Sequence, residues 1–221
     1  MSADQSEPTG QDICTEFARL NHELINIRRD LEQRNAALER LAYHDTLTGL
    51  LNRLSILQKL DEWLQHVRRY NSRLAVAMVD IDHFKQVNDL HGHRIGDRVL
   101  VDLANVMSRS IRKTDFIGRY GGEEFLIIMP RTDVAGAAIM AERLRAAVEG
   151  TPMHGADGTR FSTTVSVGVA EYCDGDDEDL IISRADAALY RAKDLGRNKV
   201  RVSPCTDSKS TGRPAKTKQA N

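Results

Sequence analysis

The sequence is poor in the features that mark several large classes of protein. Its three cysteines, Cys14, Cys173 and Cys205, form an odd set without metal-ligand spacing, which predicts reduced thiols in a cytoplasm. A formal net charge of -1 and a pI near 6.7 give no overall reason to expect nucleic acid or acidic lipid as a partner. No apolar run reaches the length of a membrane span, and the polar residues 1–10 are unlike a signal peptide. We therefore expect a soluble cytoplasmic protein with no membrane insertion.

One apolar run leads directly into two acidic residues. Residues 74–79 are continuously apolar but too few for a membrane span, which predicts a strand buried on both faces. Asp80 and Asp82 follow, and a spacing of two along a strand places both on one side. Burying a carboxylate at the end of a buried strand costs free energy unless the carboxylate pairs with a cation or stays in contact with water. The alternative for Asp82 is a helix cap.

A second acidic pair follows a glycine pair. Gly121 and Gly122 separate two apolar segments, which predicts a β-hairpin whose tip needs positive φ. Glu123 and Glu124 come next, and adjacent carboxylates suit a hard cation such as Mg²⁺. Taken alone, the stretch is better interpreted as a surface hairpin with solvated glutamates. Together, the two acidic pairs predict convergence on one metal centre across neighbouring strands.

Further motifs occur in order between residues 42 and 203. They are Asp45–Arg53, Asp80–Asp89, Gly92-His93, Gly96-Asp97, the group Ala187, Leu189, Tyr190, Ala192 and Lys193, and Gly196–Asn198. With Gly121–Phe125 as the GGEEF variant of the signature, the chain resembles the GGDEF-family diguanylate cyclases. The resemblance implies a palm-like nucleotidyl-cyclase α/β sandwich. Its central sheet is mixed, contains antiparallel strands, is flanked by helices and is preceded by a long N-terminal helix.

The resemblance also implies a role for each matched position. The implied metal ligands are Asp80, Glu123 and the Ile81 carbonyl. The implied substrate contacts are Asn88 and Asp97 with the guanine edge, His93 in the pocket, Gly121 and Gly122 at the hairpin, and Lys193 and Arg197 with the terminal phosphates. Lys85 would offset transition-state charge, and Glu124 is a candidate proton acceptor. Taken singly, each residue could instead have a purely structural role, such as Lys193 and Arg197 as a pair of cations at the C-terminus of a helix.

The implied reaction condenses two GTP into cyclic di-GMP and releases two pyrophosphates. It would use two Mg²⁺, or Mn²⁺, in each active site and one GTP per domain, so that catalysis requires two facing domains. Two other functions stay open. One is a catalytically silent GGDEF module that senses nucleotide, and the other is an interaction protein that acts mainly through its N-terminal helix.

Residues 11–43 carry a seam of apolar residues. Ile13, Phe17, Leu20, Leu24, Ile27, Leu31, Leu38 and Leu41 follow steps of three and four, interrupted at Arg34. The pattern predicts a coiled-coil stalk that dimerises the chain, with a higher oligomer left open. The alternative is one amphipathic helix packed on its own domain. The break at Arg34 marks a place where a regulatory protein could dock.

An Arg-x-x-Asp sequence precedes the hairpin. Arg112 and Asp115, completed by Arg143, resemble the family's product-binding inhibitory site, which implies feedback inhibition by cyclic di-GMP. The alternative is a local surface ion pair, since isolated Arg-x-x-Asp is common.

The remaining pattern predicts alternating elements within a catalytic domain at 44–203. We expect helices over 54–67, 83–90, 97–111, 133–148 and 178–194, strands over 73–80, 161–170 and 199–202, and the hairpin over 115–129. Residues 1–10 and the basic tail at 204–221 are predicted to be disordered.

Overall fold

The computed structural model describes residues 10–205, apart from the side chains of residues 10–18, 35–37, 39 and 40. The predictions of disorder for residues 1–9 and 206–221 lie outside the described residues. The chain divides into one unit that ends at His44 and a second that begins at Asp45. The boundary predicted from the sequence lies between residues 43 and 44.

The first unit contains helix α1, Gly10–Tyr43, which begins one residue before the predicted stalk. The described seam residues Leu20, Leu24, Ile27, Leu31, Leu38 and Leu41 are between 47% and 63% exposed. Ile13 and Phe17 lie outside the described side chains. Ion pairs such as Arg28 with Glu32 join residues four apart on the polar part of the helix. A helix therefore occupies the predicted stalk, and its apolar seam is exposed in the single chain.

The second unit is an α/β sandwich built on a five-stranded sheet. Its helices are α2 Arg53–Tyr70, α3 Phe84–His91, α4 His93–Ser110, α5 Val134–Glu149 and α6 Glu178–Asp194. Its strands are β1 Leu74–Ile81, β2 Phe116–Arg119, β3 Glu124–Pro130, β4 Met153–His154, β5 Arg160–Phe161, β6 Val165–Glu171 and β7 Val200–Ser203. The sheet order is β2-β3-β1-β6-β7, antiparallel except for β6 with β7. The predicted mixed sheet flanked by helices is confirmed.

The central strand β1 separates two apolar layers. All eight of its residues are buried, and successive side chains point to opposite faces of the sheet. Ala75, Ala77 and Val79 pack in one layer with residues of α4 and α5, whereas Val76 and Met78 pack in the other with residues of α2 and α6. Burial on both faces explains why this strand is continuously apolar, and it brings the strand's acidic end to the edge of a rigid core.

Two predicted boundaries were wrong. Helix α4 begins at His93 and not near Asp97, because the carbonyl of Gly92 accepts the N–H groups of Ile95 and Gly96 and so starts the helix earlier. The predicted strand over 161–170 is divided into β5 and β6. β5 pairs with β4 in a separate two-stranded sheet that the sequence analysis missed.

The prediction of reduced thiols was wrong for two of the three cysteines. Cys173 and Cys205 form a disulfide with a Cα–Cα distance of 5.8 Å. Strands β6 and β7 are parallel neighbours, so the segments that follow them run side by side, which a sequence separation of 32 residues does not reveal. In the part of the chain that the structure describes, none of the helices has the length and apolar character needed to span a membrane.

Candidate active site

The acidic corner lies where the end of β1 meets the start of β3. Asp80 pairs with Glu124 in the antiparallel register, and the N–H of Ile81 donates to the carbonyl of Glu123 at 3.3 Å. Strand pairing therefore brings Asp80, Glu123 and Glu124 together although more than forty residues separate them in the sequence. From α6, Lys193 Nζ lies 2.8 Å from Asp80 Oδ2.

Burial and mutual repulsion make this corner unfavourable for negative charge. Burial raises the pKa of Asp80, the neighbouring charges of Glu124 and Asp82 raise it further, and Lys193 opposes the shift. Burial also raises the pKa of Glu123, and the charge of Asp80 adds to that increase. Crowded carboxylates with hard oxygen donors are the ligands that Mg²⁺ and Mn²⁺ prefer. The donor set of Asp80 and Glu123 thus fits a divalent cation.

The acidic corner contains fewer converging carboxylates than the sequence predicted. Within residues 10–205 as described, no group of three or more histidine, cysteine or carboxylate side chains is arranged to hold a metal ion. Asp82 does not join Asp80, because its two carboxylate oxygens accept hydrogen bonds from Thr164, Ser166 and Asn198. Nor does Asp82 cap the following helix, whose N-cap residue is His83.

The tip of the hairpin differs from the predicted turn. Neither Gly121 nor Gly122 has positive φ. The loop is closed by two hydrogen bonds, in which the N–H groups of Tyr120 and Gly121 donate to the Glu124 carbonyl at 2.8 and 3.2 Å. These bonds form without a residue in the left-handed region. A Cβ on Gly121 would lie only 2.5 Å from Glu124 Oε2, whereas one on Gly122 would meet open space. The glycine at 121 therefore makes room for the Glu124 carboxylate.

Arg119 supports this tip, and the sequence analysis assigned it no role. Its Nη2 and Nε donate to the Gly122 carbonyl at 2.8 and 3.1 Å, and its Nη1 lies 3.2 Å from both Asp45 oxygens. Burial alone would raise the pKa of Asp45, but hydrogen bonds from Thr48 and the Arg119 guanidinium lower it overall. The residues before α2 thereby fix the hairpin. Only the presence of Asp45 in one matched motif, and of Arg119 two residues before another, could have indicated this link.

Helices α3 and α4 bring the predicted guanine contacts together. Asn88 is half-buried on α3, and a Cβ on Gly96 of α4 would lie only 1.9 Å from its Oδ1. The glycine therefore lets the Asn88 amide lie directly over α4. Asp97 follows Gly96 and is exposed. His93, the first residue of α4, lines an adjoining cavity of about 690 Å³.

The end of α6 carries the two predicted phosphate contacts. The N–H of Gly196 donates to the Lys193 carbonyl and that of Arg197 to the Ala192 carbonyl, which is a Schellman ending with Gly196 at φ 102°. The alternative that these residues merely terminate a helix is thus true of their backbone. It does not account for the Lys193 side chain, which reaches Asp80.

The family model for the diguanylate cyclase GGDEF domain matches residues 42–199. The chain belongs to the GGDEF family. Among solved structures, it resembles the coiled coil and GGDEF domain of DgcB from Caulobacter crescentus in complex with cyclic di-GMP. The TM-score is 0.75 at 34% identity, with 86% of this chain and 98% of that chain covered. It also resembles the diguanylate cyclase SiaD of Pseudomonas aeruginosa in complex with its activator SiaC. There the TM-score is 0.72 at 40% identity, with 86% and 71% covered.

Two curated GGDEF relatives are longer than this chain. The diguanylate cyclase DgcP of Pseudomonas aeruginosa is 35% identical over 195 residues, which are 87% of this chain and 29% of that protein. The response regulator PleD of Caulobacter vibrioides is 41% identical over 162 residues, which are 72% of this chain and 36% of that protein. The chain therefore spans about a third of the length of these relatives.

The remaining predicted positions lie elsewhere on the GGDEF domain. Lys85 is exposed on α3, one turn before Asn88. The Arg112 N–H donates to Asp115 Oδ2 at 2.9 Å, so these two residues form a tight turn through the backbone. Arg143 Nη2 donates to the Ser110 carbonyl at 2.5 Å. The structure thus brings Arg143 from α5 to the segment that contains Arg112.

Proposed function

We propose that the protein is a diguanylate cyclase that condenses two GTP into cyclic di-GMP and releases two pyrophosphates. The observation that carries the proposal is the acidic corner of Asp80 and Glu123 with the Lys193 ammonium 2.8 Å from Asp80. Metal-bound triphosphate needs anionic ligands for the cation and cationic donors for the phosphate oxygens. Relatives named as diguanylate cyclases, and GGDEF structures with cyclic di-GMP, support the same reaction.

Each side of the site has a distinct task in this proposal. Asp80, Glu123 and the Ile81 carbonyl would hold Mg²⁺ or Mn²⁺, two per active site, and a bound cation would supply charge neutralisation at the phosphates. Lys193 and Arg197 bind the terminal phosphate oxygens, and exposed Lys85 offsets charge that develops during transfer. Glu124 is the candidate acceptor for the proton of the attacking ribose 3′-hydroxyl. Gly121 and Gly122 let the nucleotide approach the hairpin backbone.

Guanine selectivity is assigned to α3 and α4. The ionised Asp97 carboxylate only accepts hydrogen bonds, so it fits the N1–H and exocyclic amine of guanine. Asn88 contributes a second polar contact, and His93 borders the pocket. An adenine in the same place would not offer the Asp97 carboxylate the two donors of guanine, which is the source of discrimination.

Incubation of the purified protein with GTP and Mg²⁺, with products resolved by chromatography, tests the reaction. We expect one cyclic di-GMP for every two pyrophosphates, and no cyclic dinucleotide from ATP. Folded protein that binds GTP without turnover would instead support the catalytically silent module.

We propose a cytoplasmic location because GTP, the substrate, is supplied there. Cysteine usage no longer supports this location, since Cys173 and Cys205 form a disulfide.

Replacement of Gly96 by alanine is expected to weaken GTP binding without unfolding the domain. The new Cβ would displace the Asn88 amide, which is the end of a flexible side chain. Loss of one hydrogen bond to guanine corresponds to a rise in KM of roughly tenfold. Steady-state kinetics on Gly96→Ala and on the control Gly150→Ala, whose Cβ meets only ordinary contacts of 3.4 Å and longer, would measure it. An unchanged KM would remove Asn88 from guanine recognition.

We further propose that α1 supplies the dimer that two-GTP chemistry requires. The supporting observation is the exposed apolar seam, which a parallel partner helix would bury. Higher oligomers use the same seam, and a regulatory protein on residues 11–43 is proposed by analogy with SiaD, whose structure contains its activator.

Removal of residues 1–41 should lower cyclase activity most at low protein concentration. The two domains would then meet only by diffusion, so that the effective concentration provided by the stalk is lost. We expect a deficit of at least about tenfold at nanomolar protein that shrinks as the protein concentration rises. Activity should be measured across a concentration series, beside light scattering for mass. Equal specific activity at every concentration would remove the stalk from the mechanism.

Product inhibition is proposed for Arg112, Asp115 and Arg143. The support is that the Arg143 guanidinium donates to the carbonyl of Ser110, two residues before Arg112, and guanidinium groups bind phosphates and stack on guanine. Arg112→Ala should raise the cyclic di-GMP concentration that halves the rate by about tenfold or more. Arg109→Ala, an exposed arginine one turn earlier in the chain, is the control. If the unmutated enzyme is not inhibited by added product, the site is absent.

A further inference from the structure

The segment that follows α6 is held in an unusual backbone conformation. Gly196, Arg197 and Asn198 have φ values of 102°, 60° and 46°. Positive φ is unstrained for glycine but unfavourable for arginine, and consecutive non-glycine residues in this region need support from the surrounding structure. The Schellman bonds described above hold Gly196 and Arg197, but they do not extend to Asn198. A second set of contacts therefore has to hold the segment beyond Arg197.

Asp82, the residue that follows β1, provides that support. It is 4% exposed, and its Oδ2 accepts the Asn198 N–H at 3.0 Å across 116 residues of sequence. Thr164 donates its hydroxyl to Oδ2 at 2.6 Å, and Ser166 donates to Oδ1 at 2.7 Å. An ionised carboxylate only accepts hydrogen bonds, so it suits three converging donors. The buried charge is thereby satisfied by β6 and by the segment after α6.

The Asn198 side chain is fixed by a third element. Its Oδ1 accepts from Arg145 Nη1 at 2.6 Å, and its Nδ2 donates to Glu149 Oε1 at 2.8 Å. Arg145 also pairs with Glu149 at 2.7 Å, so the two α5 residues form one network with Asn198. The residue next to Arg197 is thus held through its backbone by Asp82, which follows β1, and through its side chain by α5.

We propose that Asp82 is a positioning residue for Arg197, acting through the N–H of Asn198. Asp80 and Asp82 then have separate tasks at the same strand end: Asp80 pairs with Lys193 and would hold the metal, whereas Asp82 fixes the backbone that carries the second phosphate contact. This inference rests on the proposed function, because the value of a fixed Arg197 is its contact with the terminal phosphates of GTP.

The proposal predicts a defect that depends on those phosphates. Asp82→Asn keeps the size of the side chain but places an amide against three donors. It should weaken binding of a non-reactive GTP analogue by about tenfold, the scale of one charged phosphate contact. Affinity for GMP, which lacks the terminal phosphates, should change by less than about twofold. Ser166→Ala, which removes one bond to Asp82 without affecting Asn198, is the matched control and should have a smaller effect.

A double-mutant comparison separates positioning from general damage. In an Arg197→Ala background, Asp82→Asn should cause no further loss of affinity for the GTP analogue, because the residue that it positions is gone. Additive losses, or equal weakening for the GTP analogue and GMP, would overturn the proposal. Should Asp82→Asn fail to fold, Asp82→Ser, which removes the carboxylate that accepts the Asn198 N–H without adding bulk, should show the same selectivity for the GTP analogue.

Hydrogen exchange distinguishes this inference from the proposed function. In Asp82→Asn, the amide of Asn198 should exchange faster than in the unmutated protein, while those of β1 and β3 keep their protection. This measurement needs no nucleotide. If the unmutated protein binds no GTP, the proposed function is contradicted. If the exchange rate of the Asn198 amide is the same in Asp82→Asn as in the unmutated protein, the role of Asp82 is contradicted.

Discussion

Glu123→Gln should abolish cyclic di-GMP synthesis while the domain stays folded. Glutamine keeps the shape of the side chain but loses the charge that a divalent cation requires. Loss of a metal ligand is worth several kcal/mol in the transition state, so we expect a fall in turnover of about 10³-fold or more. Product formation from GTP and Mg²⁺ measures this, with Glu62→Gln on the exposed face of α2 as the control. A folded, fully active Glu123→Gln protein would refute the metal assignment.

The same substitution has a predicted effect on stability that runs in the opposite direction. Burial and the charge of Asp80 raise the pKa of Glu123 in the folded state. An acid whose folded pKa is raised lowers stability at pH values above that pKa, because its ionised form is disfavoured by folding. Glutamine does not ionise, so Glu123→Gln should melt no lower than the unmutated protein at pH 7.5. The difference should disappear as the pH falls below the ordinary glutamate range. Activity lost together with a lower melting temperature would indicate misfolding.

Gly168→Ala is expected to have the largest effect on the fold. Gly168 lies in β6 opposite Met78, and a Cβ there would be 2.1 Å from the Ala185 carbonyl oxygen and 2.2 Å from the Leu189 nitrogen. Both clashing atoms belong to the backbone of α6, so the helix itself would have to move. We expect a loss of about 3 kcal/mol in the free energy of unfolding. Lys193, one turn beyond Leu189, would move away from Asp80, and activity should fall with it.

Chemical denaturation of Gly168→Ala beside Gly150→Ala separates this clash from the general effect of a glycine replacement. Gly150 ends α5 at φ -78°, a conformation that alanine adopts readily, so its replacement should change the free energy of unfolding by less than about 1 kcal/mol. If both variants were equally stable, the contact of α6 with Gly168 would not be close enough to matter. Close packing of α6 on β6 would then not explain the position of Lys193.

Local patterns predicted the elements but not the contacts that join them. The continuous apolar run predicted β1, and α6 has the predicted bounds of 178 and 194. Both predictions rest on patterns of apolar residues that are close together in the sequence. The family resemblance implied roles for Asp80 and Lys193, and the structure brings their side chains together. No local signal revealed that Asp82 would bind Asn198, since that contact closes across 116 residues.

The errors come from contacts that adjacent residues do not specify. The glycine pair predicted positive φ at the hairpin tip, but the turn is closed by Glu124 and by the Arg119 guanidinium, which comes from outside the turn itself. The disulfide between Cys173 and Cys205 depends on β6 and β7 being parallel neighbours. The turn is decided by contacts within the hairpin loop and the disulfide by which strands lie side by side, and periodicity carries no information on either.

Calorimetric titration of the unmutated protein with a non-reactive GTP analogue tests the central claim most directly. With Mg²⁺ present, we predict saturable binding near one nucleotide per chain, and with the metal chelated, binding weaker by about two orders of magnitude or more. Glu123→Gln should bind in magnesium only as weakly as the unmutated protein does without it. A well-folded protein whose affinity for the analogue does not depend on Mg²⁺ would contradict a metal site built from Asp80 and Glu123.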